Sequence, residues 1–197
     1  MRNNSFWNSN ISLLDKLFFK LRILKLRKFN FNNKKIVDFW SWFDATFMRY
    51  MKSKYKDSDL TAFDIKLNKK SLEDFNINCI EWDLNSNFRF DDKLDIAICT
   101  AVLEHISEPI LFLNKIYDNL NQWWCLVLTV PSKWAKPVLE FLAYDLKVIN
   151  KYEIEDHKEY YDKQKLVKYL KQAWFNENNI LHEYFELYMN NFVIVTK

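Results

Sequence analysis

Short apolar runs alternate with amphipathic stretches along most of this chain, and that alternation predicts strands separated by helices. Five of the apolar runs predict buried strands, at residues 35–39, 59–64, 77–81, 94–100 and 125–130. Stretches with helical spacing occupy residues 46–55, 71–75, 108–120, 136–146 and 163–173. The last two runs, at residues 182–187 and 192–196, predict a pair of antiparallel strands.

Continuous apolar strands that alternate with helices are typical of a parallel sheet that is covered on both faces. We therefore predict a doubly wound, Rossmann-like α/β fold. Its mostly parallel seven-stranded sheet would have helices on both faces and a C-terminal antiparallel strand pair. Between residues 34 and 197 no linker, repeat or low-complexity block interrupts the pattern, so we expect that stretch to be one domain.

A basic amphipathic helix is predicted ahead of this domain, at residues 11–29, because leucine and phenylalanine are interleaved with lysine and arginine. We expect residues 1–33 to pack on the domain through the apolar face of that helix. Weak contact with an anionic membrane surface is the alternative that we keep open. The basic residues concerned are Lys16, Lys20, Arg22, Lys25, Arg27 and Lys28.

Charge and cysteine content narrow the class of protein further. The net charge of +3 is too small to indicate nucleic acid as a partner. The first residues are polar and unlike a signal peptide, and no run approaches the ~18 apolar residues of a membrane span, so we expect a cytoplasmic protein. Cys79, Cys99 and Cys125 each fall in a predicted strand without metal-ligand spacing. We expect them to be buried free thiols, and we predict no metal site.

Acidic and turn-forming residues follow the predicted strands, at the edge of the sheet where doubly wound folds bind ligands. They are residues 38–42, Asp64, Asp83 and residues 100–105. Asp64 comes about 25 residues after the first of these turns, which is close to the spacing of the acid that binds ribose hydroxyls in nucleotide-binding βαβ units. A cap on the next helix is the other interpretation of Asp64.

An ordered series of short motifs at these strand ends is similar to one family. Val-Asp-Phe-Trp-Ser-Trp at residues 37–42 looks like a glycine-rich first motif, and Ala-Phe-Asp at 62–64 looks like the Gly-x-Asp that ends the second strand. Glu-Trp-Asp-Leu at 81–84 is similar to the Gly-Asp pair that contacts adenine. Thr-Ala-Val-Leu-Glu-His at 100–105, the turn at 121–124 and Ala-Trp-Phe at 173–175 continue the series. From residue 34 onward, the chain thus resembles the class I S-adenosylmethionine-dependent methyltransferases, in particular the small type 11 group.

The resemblance implies methyl transfer from S-adenosylmethionine to a small-molecule or glycan-type acceptor. It also implies that the first turn positions the methionine end of the cofactor, Asp64 the ribose and Asp83 the adenine amine. The complete set of cofactor-binding residues that it implies is Asp38, Phe39, Trp40, Ser41, Trp42, Asp64, Ile65, Asp83, Leu84, Thr100 and Ala101.

A hydroxyl acceptor would require a general base, and His105 and His157 are the candidates. Either histidine can instead be structural. We expect the acceptor to bind against residues 131–161, a stretch rich in aromatic side chains. A nicotinamide-dependent dehydrogenase also uses a glycine-rich first turn, and it stays a less favoured alternative because the antiparallel strand pair argues against it.

The chain contains no glycine and eight tryptophans, whereas about 7% glycine is ordinary. Six tryptophans stand where the family has glycine: Trp40, Trp42, Trp82, Trp123, Trp124 and Trp174. A stop codon that the source organism reads as glycine, translated here as tryptophan, would produce this pattern, and the Lys-, Asn-, Ile- and Phe-rich composition fits an AT-rich genome. The competing hypothesis is a non-catalytic pseudoenzyme that keeps the fold as an interaction module.

Overall fold

The computed structural model describes residues 13–26, 29–147, 149 and 151–197. The chain divides into two compact units, Met1–Phe31 and Asn32–Lys197. The first unit contains helix α1 (Leu13–Leu26), which lies within the helix predicted at residues 11–29. Of that prediction, residues 11, 12, 27 and 28 lie outside the described residues. In the part of the chain that the structure describes, none of the helices has the length and apolar character that a membrane crossing demands.

The second unit is built on one seven-stranded sheet. Its strands are β1 (Lys35–Phe39), β2 (Asp59–Asp64), β3 (Asn78–Glu81), β4 (Leu94–Thr100), β5 (Leu120–Pro131), β6 (Ile180–Phe185) and β7 (Asn190–Thr196). The strand order is β3-β2-β1-β4-β5-β7-β6. Strands β1 to β5 pair in parallel, and β7 is antiparallel to both β5 and β6. The predicted fold class is confirmed, including the antiparallel strand pair at the C-terminal end.

Helices connect the parallel strands, mostly where the hydrophobic spacing predicts them. They are α2 (Thr46–Lys54), α3 (Lys69–Asp74), α4 (Pro109–Asn119), α5 (Ala135–Glu140), α6 (Lys151–Glu155) and α7 (Lys163–Gln172). Pro109 begins α4, where its missing N–H costs nothing, and Phe112, Leu113 and Ile116 form the buried face of that helix. The stretch predicted to be helical at 136–146 is helical throughout most of its length, but its second half, Phe141–Asp145, is a π-helical turn that follows α5.

The centre of the sheet explains why its strands read as continuous apolar runs. Ile36 and Val37 of β1 and Ile96, Ala97 and Ile98 of β4 are all 0–1% exposed. Both faces of these strands are covered, so the side chains on both faces are apolar and polar residues do not alternate with them along the strand. The prediction of three buried thiols is wrong for Cys79, which is partly exposed because β3 is the edge strand of the sheet.

Strand β5 begins earlier than its apolar run predicts. Leu94 pairs with Leu120 and Ile96 pairs with Cys125, so four residues, 121–124, lie between two consecutive pairs of the ladder. The turn that we predicted before the fifth strand is therefore an irregularity inside β5. Trp123 has φ of 71° within it, a left-handed value that regular strands do not use.

Candidate active site

The first turn, residues 40–42, joins the end of β1 to the end of β2. The backbone N–H groups of Trp40 and Ser41 both donate to the carbonyl oxygen of Phe63, at 2.7 and 3.1 Å. The Ser41 hydroxyl donates to the carbonyl of Asp38 at 2.7 Å and accepts the N–H of Phe63 at 3.2 Å. These bonds fix the turn at the carboxyl edge of the sheet, where the sequence predicts a ligand.

Asp64 holds the other side of this turn. Its Oδ2 accepts the backbone N–H of Trp42 at 2.8 Å, and its Oδ1 accepts the N–H of Ile65 at 2.7 Å. The residue is 2% exposed. Asp64 therefore orders the first turn as well as standing at the predicted ribose position.

The backbone at several tryptophans has the conformation that favours glycine. Trp40, Trp42, Trp123 and Trp174 have φ of 74°, 62°, 71° and 70°, although non-glycine residues reach positive φ in only a few per cent of cases. Trp134, which was not matched to a family glycine, has φ of −70°. Trp82 and Trp124 do not have positive φ, and Trp7 lies outside the described residues.

Trp174 shows most plainly why a glycine fits. It follows the last residues of α7, and its N–H donates to the carbonyl of Lys171 at 3.1 Å, while the N–H of Phe175 donates to the carbonyl of Leu170 at 3.0 Å. This pair of bonds is the Schellman motif, whose left-handed residue is usually glycine. An L-residue with a side chain pays roughly 1–2 kcal/mol for that conformation.

The Trp40 side chain lies over His105. The two rings stack with centroids 4.8 Å apart and an interplanar angle of 19°. The indole therefore spans the space between the first turn and the segment that follows β4. Glycine has no side chain, so this space would be open with glycine at residue 40.

The turn after β3 presents Asp83 at the surface. Oδ1 of Asp83 accepts two hydrogen bonds from Asn85, one from its backbone N–H at 2.9 Å and one from its side-chain Nδ2 at 3.2 Å. Oδ1 of Asn85 in turn accepts the N–H of Ser107 at 3.0 Å, which connects this turn to the segment after β4. Leu84, between them, is 4% exposed and belongs to the hydrophobic core.

The remaining predicted cofactor residues differ in their surroundings. Phe39 is fully buried in a cluster of aromatic rings, with Phe63 and Phe88 at centroid distances of 5.4 Å each. Ile65, in contrast, is 51% exposed beside the first turn. At the end of β4, Thr100 is partly exposed, and Ala101 has φ of 55° and donates its N–H to the carbonyl of Thr129 at 3.0 Å.

The two candidate bases, His105 and His157, lie side by side although 52 residues separate them. Their ring centroids are 4.9 Å apart in an edge-to-face arrangement. The backbone N–H of Lys158 donates to the carbonyl of Glu104 at 2.8 Å, and the Tyr161 hydroxyl donates to the carbonyl of Leu103 at 3.2 Å. These bonds attach the segment after α6 to the 3-10 turn Leu103–His105 and so bring the two histidines together.

Each histidine also has a polar partner on its Nδ1 atom. Nδ1 of His105 is 2.9 Å from Oδ2 of Asp156, and Nδ1 of His157 is 3.2 Å from the Tyr160 hydroxyl. Burial, with a smaller contribution from the neighbouring His105, lowers the pKa of His157 to about 4, so its imidazole is neutral at pH 7. Burial likewise raises the pKa of Tyr160 to about 12, so its hydroxyl stays protonated.

Glu104 is the residue that the sequence reasoning missed. It is fully buried, and a carboxylate oxygen of Glu104 and ring nitrogens of His105 and His157 all lie within 4.8 Å of one another. The adjacent Glu104 and His105 were the only hint of this cluster in the sequence. The third member, His157, is remote along the chain, so the sequence does not show that it lies beside them. The described residues therefore contain a group with metal-ligand chemistry where we predicted none.

Comparison with known proteins shows which proteins share this fold. No known protein family and no curated protein matches the chain by sequence. A solved chain from the complex of the Haloferax volcanii Trm112 methyltransferase activator with a protein assigned as a methyltransferase superposes with a TM-score of 0.72 at 8% identity. That superposition covers 92% of this chain and 90% of the other.

Two further structures agree. An S-adenosylmethionine-dependent methyltransferase from Mesorhizobium loti has a TM-score of 0.67 at 14% identity, covering 90% of this chain and 97% of its own. The plantazolicin methyltransferase BpumL, in complex with a pentazolic desmethylPZN analogue and SAH, has a TM-score of 0.62 at 12% identity, covering 91% of this chain and 81% of its own. This chain has the fold of the S-adenosylmethionine-dependent methyltransferases, as its sequence motifs led us to expect.

Proposed function

We propose that this domain carries out S-adenosylmethionine-dependent methyl transfer to a small-molecule or glycan-type acceptor, and that the form with Trp40 and Trp42 binds the cofactor weakly. The first turn is the observation that carries the proposal. Its backbone has two left-handed residues and is held by the acid that ends β2, as a glycine-rich cofactor turn requires. When bound, the cofactor supplies a methyl group activated by a sulfonium.

The backbone of the site fits the cofactor better than the side chains do. Asp38, Asp64 and Asp83 stand at three neighbouring strand ends, where one extended ligand can meet all of them. The Trp40 indole, however, stacks on His105 beside the first turn, which is where we propose that the methionine end binds. The fit therefore favours the form of this chain with glycine at Trp40 and Trp42.

Residues of the chain also supply positioning and proton removal for a hydroxyl acceptor. Asp156 orients the His105 ring through Nδ1, which is the way a carboxylate prepares an imidazole to accept a proton on its other nitrogen. His157 is neutral at pH 7 and lies against the same ring. We propose these histidines as the candidate groups that receive the acceptor's proton.

The acceptor surface that we propose lies on the segment between β5 and α7. Exposed aromatic side chains on this segment offer flat apolar faces for a sugar or a planar metabolite. They are Trp134, Phe141, Tyr144 and Tyr152, whereas Tyr160 is partly buried and Tyr161 is fully buried.

The second candidate function is a pseudoenzyme that keeps the fold as an interaction module. The stacking of Trp40 on His105 favours it, because an indole that fills the cofactor space would serve to close the site. The two candidates differ in one respect that can be measured: a misdecoded enzyme regains cofactor binding when glycine returns, and a pseudoenzyme does not.

We further propose that the six tryptophans at family glycine positions are misdecoded glycines, and four of the six, Trp40, Trp42, Trp123 and Trp174, have positive φ. Relaxed selection would replace glycine with small or polar residues, whereas these four positions all hold tryptophan and all keep the left-handed backbone. The measurement is the mass of peptides from the native protein. An ordinary tryptophan codon at Trp40 and Trp42 in the gene would contradict the proposal.

Titration with S-adenosylhomocysteine (SAH) tests the function. We expect the Trp40→Gly/Trp42→Gly protein to bind SAH at least 10-fold more tightly than the chain as written, by calorimetry and by thermal shift. Trp134→Gly is the matched control, since Trp134 has φ of −70° and lies outside the first turn. No gain from the double variant would favour the pseudoenzyme, and stabilisation by NAD instead of SAH would favour a dehydrogenase.

A further inference from the structure

We propose that Glu104, His105 and His157 form a binding site for one divalent transition-metal ion. One ligand atom from each residue lies within 4.8 Å of the other two. Ligands around a tetrahedral ion with bonds of about 2.0–2.2 Å are separated by roughly 3.5 Å, so the three atoms need to approach by little more than 1 Å.

The donor set indicates the kind of ion. Two imidazoles and one carboxylate suit Zn²⁺, Co²⁺ or Mn²⁺, whereas Mg²⁺ and Ca²⁺ prefer sets made of oxygen atoms. Three protein ligands also leave at least one coordination position for water or substrate, which distinguishes catalytic from structural zinc sites. Glu104 is fully buried, so this group is not one of the exposed acidic clusters that occur without an ion.

The surroundings of the ligands add an independent argument. Oδ2 of Asp156 lies 2.9 Å from Nδ1 of His105, which is the pairing that orients a metal-binding histidine to ligate through its other ring nitrogen. Nδ1 of His157 is likewise next to a hydrogen-bonding group, the Tyr160 hydroxyl, at 3.2 Å. The backbone bond from Lys158 to Glu104 holds the two ligand-bearing segments together. Ligands and their supporting groups thus come from the same two chain segments.

The position of the site suggests what the ion does. His105 follows β4 and is stacked under the first turn, so the ion would lie beside the cofactor space. A divalent ion there would bind a hydroxyl oxygen of the acceptor and lower the pKa of that hydroxyl, and the proton would pass to solvent water. A histidine that ligates the ion has no nitrogen left to take this proton, so metal binding by His105 and His157 and proton removal by the same rings are alternatives. The acceptor class that we infer is therefore an alcohol whose hydroxyl oxygen takes the open coordination position. This assignment of the acceptor rests on the proposed function, whereas ion binding itself does not.

Titration of the metal-stripped full chain with Zn²⁺ by calorimetry, and with Co²⁺ by visible absorption, tests the site. We expect one ion per chain, and at least 10-fold weaker binding for Glu104→Gln, His105→Asn and His157→Asn. The matched control is His182→Asn, because His182 is the third histidine of the chain and contacts Asn191 on the opposite part of the sheet. Asp156→Asn should weaken binding by about 10- to 100-fold, as expected for a positioning residue.

Three outcomes would overturn the metal site. They are no binding at millimolar Zn²⁺, equal binding by the His157→Asn and parent proteins, and equal loss of binding in His182→Asn. Circular dichroism of each variant identifies any that fails to fold, and His157→Asn, at a partly exposed position, keeps the test decisive if Glu104→Gln does not fold. Metal titration uses neither cofactor nor acceptor, so its failure is distinguishable from failure of SAH binding.

Discussion

Replacement of Trp123 and Trp174 by glycine should stabilise the protein. Both residues have left-handed backbone, with φ of 71° and 70°, and both are largely exposed, at 79% and 74%. Exposed indoles contribute little burial that could be lost. Each substitution removes about 1–2 kcal/mol of backbone strain. It also lowers the free energy of unfolding by about 0.5–1 kcal/mol, because glycine has greater freedom in the unfolded chain.

The net gain for the double variant is about 1–2 kcal/mol. For a domain of this size, each kcal/mol raises Tm by about 2–4 °C, so Tm should rise by about 2–8 °C in a calorimetric scan. Trp134→Gly is a control of similar exposure, 73%, but with φ of −70°. It removes no strain, so it should lose about 0.5–1 kcal/mol.

Alanine distinguishes backbone conformation from side-chain size. Trp123→Ala/Trp174→Ala removes both indoles and keeps a Cβ in the left-handed region, so it should give little of the gain. An equal gain from the alanine double variant, or from Trp134→Gly, would refute the reasoning. A loss of stability in the glycine double variant would show that the indoles have contacts worth more than the strain.

Three further results are expected. Phe112→Ala should lower the free energy of unfolding in urea by about 3–5 kcal/mol, because this ring is 1% exposed in the aromatic cluster. A loss below about 1 kcal/mol would show that the neighbouring side chains close the cavity and would contradict this prediction. In the folded protein at pH 8, a thiol reagent should modify Cys79 well before Cys125, whose pKa burial raises to about 11; equal rates would contradict the burial. Asp162→Ala removes the carboxylate that accepts the Lys165 N–H and caps α7, and should cost about 0.5–2 kcal/mol near pH 7. Since the hydrogen bond from Lys133 lowers the pKa of Asp162, the difference between this variant and the parent should persist down to about pH 4 and vanish at lower pH; a difference that does not change with pH would contradict that role.

Much of the fold follows from local patterns. The apolar runs of β1 and β4 predict central strands because burial on both faces leaves no polar positions, and that property depends on the residues themselves. The boundaries of β5 and β6 differ from the predicted ones because pairing partners set them. Leu120 joins β5 through its pairing with Leu94, a contact that no local pattern contains.

The candidate site divides in the same way. Asp38, Asp64 and Asp83 could be placed from the sequence, since the ends of parallel strands meet at one edge of the sheet. Asp64 has a second role that the sequence did not predict, because its bond to the N–H of Trp42 depends on the turn geometry. Whether these acids contact a cofactor stays a prediction that the SAH titration addresses.

The sequence by itself determined the strand alternation, the motif series and the positions where glycine is expected, because each of these depends on neighbours along the chain. Tertiary structure alone decided that Trp40 stacks on His105, and that His157 returns to Glu104 and His105 across 52 residues. Such contacts arise from how distant segments pack, and no periodicity records them. Sequence and structure agree at four tryptophans. The sequence motifs lead us to expect glycine there, and the fold gives the backbone the left-handed conformation that favours glycine at Trp40, Trp42, Trp123 and Trp174.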